Sequence, residues 1–596
     1  MSIRVGNCSG YYGDRLSAMR EMLEGGELDY LTGDYLAELT MLILGRDQLR
    51  DESLGYAKTF VRQMTDSMAL AKERGVRIVA NAGGLNPAAL ATKLRDIADS
   101  QGLEISIAHV EGDDLRARAA ELRHQVGSSG TVLTANAYLG AFGIAAALAA
   151  GADVVVTGRV TDASVVVGPA IAHFGWGRDD LDQLAGAVVA GHVIECGTQA
   201  TGGNFSGFDD LPAGAWDRPP GFPIAEISPD GSVVITKHDG TGGAVTVDTV
   251  TAQLVYEIGS PLYLGPDVSA RLDTAQLRQD GPDRVAITGV VGQAPPATTK
   301  VCLNELGGFR NSVEFLLTGL DIPRKAALIQ RQMEAALAAG DDGPETIEWN
   351  LDRTDVSDPA TQPRATSLLR LHVKSARPEP VGRAFSDAAI QLALASYPGF
   401  SVSRPPAAGA PYGIYRPSYV PQTEVPHVVV HPDGRREDVA PPSAVSNPEV
   451  GTEWPEAATP EPVADGLGEW AAETVRAPLG RLVHARSGDK GGDANIGVWI
   501  PAGHPAQDDA YAWLVGLLDE STIRELLPEA AALDLEIHPL PNLAAVNIVV
   551  HGLLGEGVAS STRPDPQAKG VGEWLRARDC AIPTVLLPDA VSEGSL

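Results

Sequence analysis

Cysteine is scarce. Only four occur in 596 residues, Cys8, Cys196, Cys302 and Cys580, and they lie far apart. No Cys-x-x-Cys exists, so neither a zinc ribbon nor a disulfide scaffold is supported. Long apolar runs are missing too. The most apolar stretch, 141–150, falls short of the roughly 18–20 residues that a membrane span needs. The chain opens on Ile3-Arg4-Val5-Gly6 with no basic and then apolar leader, so a secretory signal is not expected. Basic residues are in the minority: 46 Lys and Arg stand against 77 Asp and Glu, a formal net charge of −31. So acidic a chain repels phosphate backbones and anionic lipid, which argues against nucleic-acid and membrane-surface partners. Catalytic signatures are also wanting. There is no G-x-x-x-x-G-K-[ST], no G-x-S-x-G elbow and no H-E-x-x-H. Gly6, Gly10 and Gly13 come near a dinucleotide fingerprint but have the wrong spacing.

What is there is ordinary globular material, 44% apolar and 21% charged. The length implies about three to five domains. Short β-branched runs at 3–7, 28–31, 76–80, 105–110, 131–135 and 153–157 alternate with helical patterns at 14–23, 34–44, 87–100 and 139–150. Continuous rather than alternating apolar character marks strands buried on both faces, and strand–helix alternation implies a parallel sheet. The expected fold is α/β: a parallel-sheet, Rossmann-like domain over 1–215, then an α+β middle region over 216–432. Residues 433–478, with six prolines between 441 and 462, are expected to be an extended linker unable to join a hydrogen-bonded ladder. A small α+β domain follows over 479–596.

Ligands of open parallel sheets bind beyond the carboxyl ends of the strands. The residues there are small or polar: Asn7, Ser9, Gly10, Asp14 and Arg15 after the first strand, Asp34 after the second, and Asn81, Gly83, Gly84 and Asn86 after the third. Asn136 ends the fifth, and Arg159, Thr161 and Asp162 follow the sixth. Asn86 before Pro87 is an N-cap, and Asp34 and Asp162 are expected to cap helices. Helix N-termini attract anions; each loop alone is equally a plain turn. His192 and Glu195, at i and i+3 with Asn204 downstream, suit proton transfer, a share in a metal site or, in the plainer reading, helix-end capping. Lys237, His238 and Asp239 bring a cation, an imidazole and a carboxylate to one strand end, or form a polar hairpin. Arg486, Asp489, Lys490, Asp493 and Asn495 surround three glycines, enough to wrap an anion or make a hairpin. Asn542 and Asn547 are expected on the same side.

These motifs resemble those of the acyclic terpene utilisation AtuA family. The segments are Gly6-Asn-Cys-Ser-Gly-Tyr-Tyr-Gly-Asp-Arg15, Gly33-Asp-Tyr-Leu-Ala-Glu-Leu-Thr40, Asn81-Ala-Gly-Gly-Leu-Asn-Pro87, Thr157-Gly-Arg-Val-Thr-Asp162, Gly191-His-Val-Ile-Glu-Cys-Gly197 and Lys237-His-Asp-Gly-Thr-Gly-Gly243. His484-Ala-Arg-Ser-Gly-Asp-Lys-Gly-Gly-Asp-Ala-Asn-Ile-Gly497 resembles that family's C-terminal ferredoxin-fold-like domain. The resemblance implies work on acyl-CoA or branched carboxylic acid intermediates.

The leading expectation is therefore a cytoplasmic, homo-oligomeric lyase or hydratase acting on an anionic acyl or carboxylate substrate. His192 with Glu195, or His238 with Asp239, would move the proton, and Lys237 or Arg159 would stabilise an enolate. A CoA thioester can be the substrate; no metal or other cofactor is required. Two alternatives stand beside it, a non-catalytic acyl-CoA-binding partner subunit and an NAD(P)-dependent oxidoreductase.

Overall fold

The computed structural model describes residues 1–339, 343–446 and 473–587. Its first six strands are β1 (Ile3–Asn7), β2 (Tyr30–Gly33), β3 (Arg77–Ala80), β4 (Ile107–Glu111), β5 (Thr131–Ala137) and β6 (Val154–Thr157). β1, β2, β3, β6 and β4 lie side by side in that order, all parallel. Helices Ala18–Gly25, Lys58–Arg74 and Pro87–Gln101 cover one face, packing on Leu31, Ile78, Ala80 and Val156. Helices Phe142–Ala149, Ser164–Phe174 and Leu181–Ile194 cover the other, on Val5, Val79, Ala108 and Val155. Burial on both faces is why these strands are apolar at nearly every position.

β5 departs from the expectation. It leaves the parallel sheet and pairs antiparallel with Thr298–Thr318. A short β-branched run fits either sheet; backbone bonds from Leu115 to Ala135 and from Ala137 to Asp113 hold it in the second. The first sheet also runs past residue 215. β7 (Pro223–Ile227) lies antiparallel to β1, and β8 (Val233–Lys237) returns beside it. Val285–Thr288 and Gln276–Gln279 extend that edge, while Val428–Val430 and Arg436–Asp438 extend the edge at β4, making 11 strands. A boundary at 215 therefore falls within one sheet rather than between sheets, and Arg436–Asp438 forms a ladder where a linker was expected. Its three residues precede the first proline of the stretch, so their N–H groups are free to pair. Residues 447–472, the body of the expected linker, lie outside the described residues.

The 21-residue strand Thr298–Thr318 is the axis of a second sheet. It pairs with β5, Ala410–Pro421 and Thr366–Ser375, with Thr346–Asp352 at the edge. The last domain is a four-stranded antiparallel sheet in the order His484–Lys490, Asp493–Trp499, Ala545–Val550, Leu535–Leu540. Helices Gln507–Leu517, Glu520–Leu526 and Val571–Arg576 pack on one face. The other face docks on the loop after helix Val247–Leu254. Asn495 donates to the Val255 carbonyl (2.9 Å) and accepts from the Glu257 amide (2.7 Å). Asn547 donates to the Gly259 carbonyl (2.8 Å), and Asn542 to those of Leu272 and Ala275 (2.9 and 2.8 Å). Gly497 permits the approach, since a Cβ there would stand 2.2 Å from a Val255 methyl. No described helix is long and apolar enough to cross a membrane.

Candidate active site

The loops after β1, β2, β3 and β6 do meet. Asn7, buried at the end of β1, donates to the carbonyls of Ile194 (2.6 Å) and Glu195 (3.0 Å), tying the first loop to the end of helix Leu181–Ile194. Gly10 must be glycine, because a Cβ would fall 2.6 Å from the Cys196 carbonyl carbon. After β2, the Ser9 carbonyl accepts from the Asp34 amide (3.0 Å). Asn81 donates to Asp34 Oδ1 (2.5 Å) and accepts from the Tyr35 amide (2.8 Å). After β6, Arg159 is 2% exposed. Its Nη1 meets the Leu36 carbonyl (2.8 Å) and Asp162 Oδ1 (2.9 Å). Asp113 holds the Arg159 amide (2.8 Å) and the Asn136 side chain (2.7 Å) from beneath.

The second sheet supplies a wall. Lys300 lies 3.4 Å from Glu38 Oε1, and the Tyr138 hydroxyl donates to the same oxygen (3.0 Å). The Arg159 guanidinium stands over the Tyr138 ring at 4.3 Å, and Lys300 lies 5.0 Å from that ring and 5.4 Å from Tyr415. The C-terminal hairpin makes the roof. Lys490, an exposed residue, sends its ammonium inward to the Glu257 carbonyl (2.7 Å) and over Tyr263 (5.6 Å). His192 packs on the same Tyr263 ring at 4.7 Å, with Nδ1 3.3 Å from Glu195 Oε1. That contact has charge-pair distance without hydrogen-bond alignment, and both His192 ring nitrogens, Glu195 Oε2 and Arg159 Nε are buried without a hydrogen bond.

Electrostatics confirm that these groups share one space. Asp34 is pushed well up by burial and by the charges of Asp162 and Glu195, against Arg159 and Asn81. Glu195 is raised by burial, Asp162 and Glu257, against Lys490 and Arg159. Burial raises Asp162 and Glu257 as well. Asp489 is pushed up to about 8 by burial, Glu257 and Glu38. Glu38 goes the other way: burial opposes its charge, but Lys300 and Arg159 outweigh that and hold it down at about 2. Burial and Lys490 push His192 down to about 4, so the ring is neutral near pH 7. Burial and Lys300 lower Lys490.

The cleft is richer in carboxyls than the glycine loops alone suggested. Asp34, Glu38, Asp162, Glu195, Glu257 and Asp489 face Arg159, Lys300 and Lys490, so acids outnumber bases. Asp34 and Asp162 do not cap helices; the residues at those N-caps are Ala37 and Ala163. Asp34 instead accepts from the Leu36 amide, while Asp162 pairs with Arg159.

Several expected residues lie elsewhere. Lys237 pairs with Asp283 (3.0 Å), and His238 is bonded to the Met22 carbonyl (3.0 Å) and packed on Gly25 and Gly26. Asp239 is exposed beside them. That strand end is two strands removed from β1, so its side chains are used up locally. Asp14 caps the Gly10 and Arg15 amides, and Arg15 pairs with Glu21 over the Phe222 ring. Asn86 caps Pro87–Gln101 as expected. Gly83 and Gly84 admit the Thr157 and Gly55 carbonyls, and Thr161 bonds Ser164. Arg486 reaches the Asn204 carbonyl (3.1 Å) and stacks on Tyr256, a docking contact. Asp493 faces His551 (3.1 Å) on the outer edge, not the cleft. Asn495 clamps the Val255–Glu257 segment. Sequence reasoning missed Glu38, Tyr138, Glu257, Tyr263, Lys300 and Tyr415. Only Glu38 carried a signal, standing inside the segment quoted after β2.

Among the described residues, no group of three or more His, Cys, Asp or Glu is arranged to hold a metal ion. A family model described as acyclic terpene utilisation family protein AtuA matches residues 3–431, and one described as AtuA ferredoxin-like domain matches residues 477–580. No curated protein and no solved structure matches the chain significantly.

Proposed function

The chain belongs to the acyclic terpene utilisation AtuA family, and from that membership and the cleft we propose an acid/base enzyme, a lyase or hydratase, acting on an acyl thioester or branched carboxylic acid. One observation carries the reading. Carboxyls of raised proton affinity, Asp34 and Glu195, face a lysine of lowered proton affinity and a fixed guanidinium across one cleft. Pairs of groups whose environments drive their titrations apart are what proton transfer at constant pH requires. In this reading Glu195, beside neutral His192, gives or takes the substrate proton. Lys490 and Arg159, whose Nε is unpaired, stabilise the oxyanion of an enolate. The packing of Cys196 over Gly10 favours this over a dinucleotide seated at the β1 loop. The proposal extends to a cytoplasmic homo-oligomer.

The test is turnover and α-proton exchange in D2O, followed by NMR over a panel of branched acyl-CoA thioesters and the free acids. Glu195→Gln and Lys490→Met should each lower the rate by about 10²–10⁴-fold, the usual weight of one acid or base. Wild type that binds a thioester without exchange or turnover would establish the alternative, a binding subunit. Variants as active as wild type would discard the assignment of roles.

A further inference from the structure

A second cluster of unpartnered polar groups lies on the other long sheet, at its seam with the C-terminal domain. Arg310 and Lys374 face each other across paired strands, and His372 follows on the same side two residues earlier. Tyr412 flanks them from the third strand, with Lys374 Nζ 5.1 Å from its ring. All four are half-buried. In a chain of net charge −31 such cations normally find carboxylates, and Arg370, two residues before His372, is bonded to both Glu314 and Asp352.

Arg310 and Lys374 do not follow suit. Among the described residues Arg310 has only the Ser561 carbonyl (3.2 Å), and Lys374 has only the Tyr412 ring. His372 Nε2 is buried with no hydrogen bond at all. The nearest acids are engaged elsewhere: Glu348 accepts from Thr562 (2.9 Å), and Glu556 pairs with Arg416 (3.0 Å). Burial lowers Arg310. Burial also lowers His372, joined by Arg370, Arg310 and Lys374 and opposed by Glu348. None of the cleft carboxylates enters this balance; the neighbours here are Glu348, Glu556 and Tyr412. Clustered, partly desolvated donors that make no direct ion pair are the chemistry of an oxyanion site.

We propose that Arg310, His372 and Lys374 form a binding site for a phosphate group, bordered by the Ser561–Thr562 loop. Three donors on two strands, with the Ser561 hydroxyl on the bordering loop, suit a tetrahedral dianion better than a planar carboxylate, which offers two acceptors in one plane. The site is independent of the acid/base reading of the cleft.

Binding is measured by calorimetry and 31P NMR at low ionic strength, with inorganic phosphate in one arm and ribose 5-phosphate in the other. Wild type should bind at least one probe saturably. Binding of inorganic phosphate alone marks a free-anion site, and binding of both marks a site open to phosphate esters. Arg310→Gln and Lys374→Gln should each weaken binding by about tenfold or more, the weight of one charge-assisted hydrogen bond. Arg324→Gln, which removes an exposed cation on a nearby helix, should leave it unchanged. Lys374 has only a ring contact where Arg310 has a hydrogen bond, so its variant is the one expected to keep the wild-type circular dichroism and Tm. No saturable binding by wild type, or undiminished binding by the folded Lys374 variant, overturns the site.

Discussion

Histidine stands beside glutamate both in the cleft and on the outer edge of the C-terminal sheet, with opposite consequences. In the cleft, His192 lies 3.3 Å from Glu195; on the outer edge of the C-terminal sheet, His551 lies 3.1 Å from Glu536. Burial governs the first pair: it drives the imidazole down to about 4, leaving the ring neutral near pH 7, and drives the carboxyl up. At the edge burial also acts, but His538 and His551 outweigh it on Glu536, lowering that acid, and Asp493 and Glu536 raise His551. The same two residue types thus have their charged forms disfavoured inside and favoured outside. What separates them is access to water.

The largest expected effect comes from taking the cation out of the cleft. Arg159→Met leaves Asp34, Glu38 and Asp162 without it and should destabilise the fold by about 3–5 kcal/mol at pH 8, as breaking a buried pair does. At pH 5, where the raised carboxyls Asp34 and Asp162 carry more protons, the loss should be smaller. Urea denaturation at the two pH values measures this, and equal losses would mean that packing, not charge, is what Arg159 supplies.

Asp489 comes next. Its folded value of about 8 lies above the unfolded one, so the folded chain holds this proton longer. Its contribution is most favourable below the unfolded pKa near 4 and is lost as pH rises to about 8. Asp489→Asn should therefore stabilise the protein increasingly from pH 5 to pH 8, by up to about 3 kcal/mol. A thermal melt series decides; a gain that does not grow with pH would show that Asp489 is solvated.

The edge should respond least. His551 is raised, so its share of stability is full below pH 6.5 and fades as pH rises through the folded value; lowered Glu536 gives a share that fades as pH falls below about 4.5. Both are exposed, and Glu536→Gln should shift stability by about 0.5 kcal/mol or less at pH 6. A shift comparable with that of Arg159→Met would erase the contrast between the two regions.

The sequence made one rim readable because small and polar residues recur after successive buried strands. Asn7, Asp34, Asn81, Arg159 and Asp162 meet there, and Glu195 joins them through the Asn7 bonds. The opposite wall was not readable. Lys300 is one charge among many along a 21-residue strand, and nothing local says that this strand crosses the end of β6. Glu257 owes its place to a positive φ of 54°, imposed by Asn495 from a position 238 residues away. β5 shows the same limit in the fold: its pattern says strand, and only its partners say which sheet. Lys237-His238-Asp239 erred in the reverse direction, being rich in reactive types whose nearest partners, Asp283 and the Met22 carbonyl, are already bonded to them.

The asparagines of the last domain have a consequence for how the chain can be divided. Asn495, Asn542 and Asn547 satisfy five backbone groups of the loop beyond Leu254 and hold Glu257 in a left-handed turn that a non-glycine residue seldom adopts unaided. Severed at its proline-rich stretch, the larger piece would keep most of the reactive groups yet carry orphaned carbonyls and a relaxed Glu257, with Lys490 gone. The small domain is thus less an appendage than the mould in which one side of the cleft is cast.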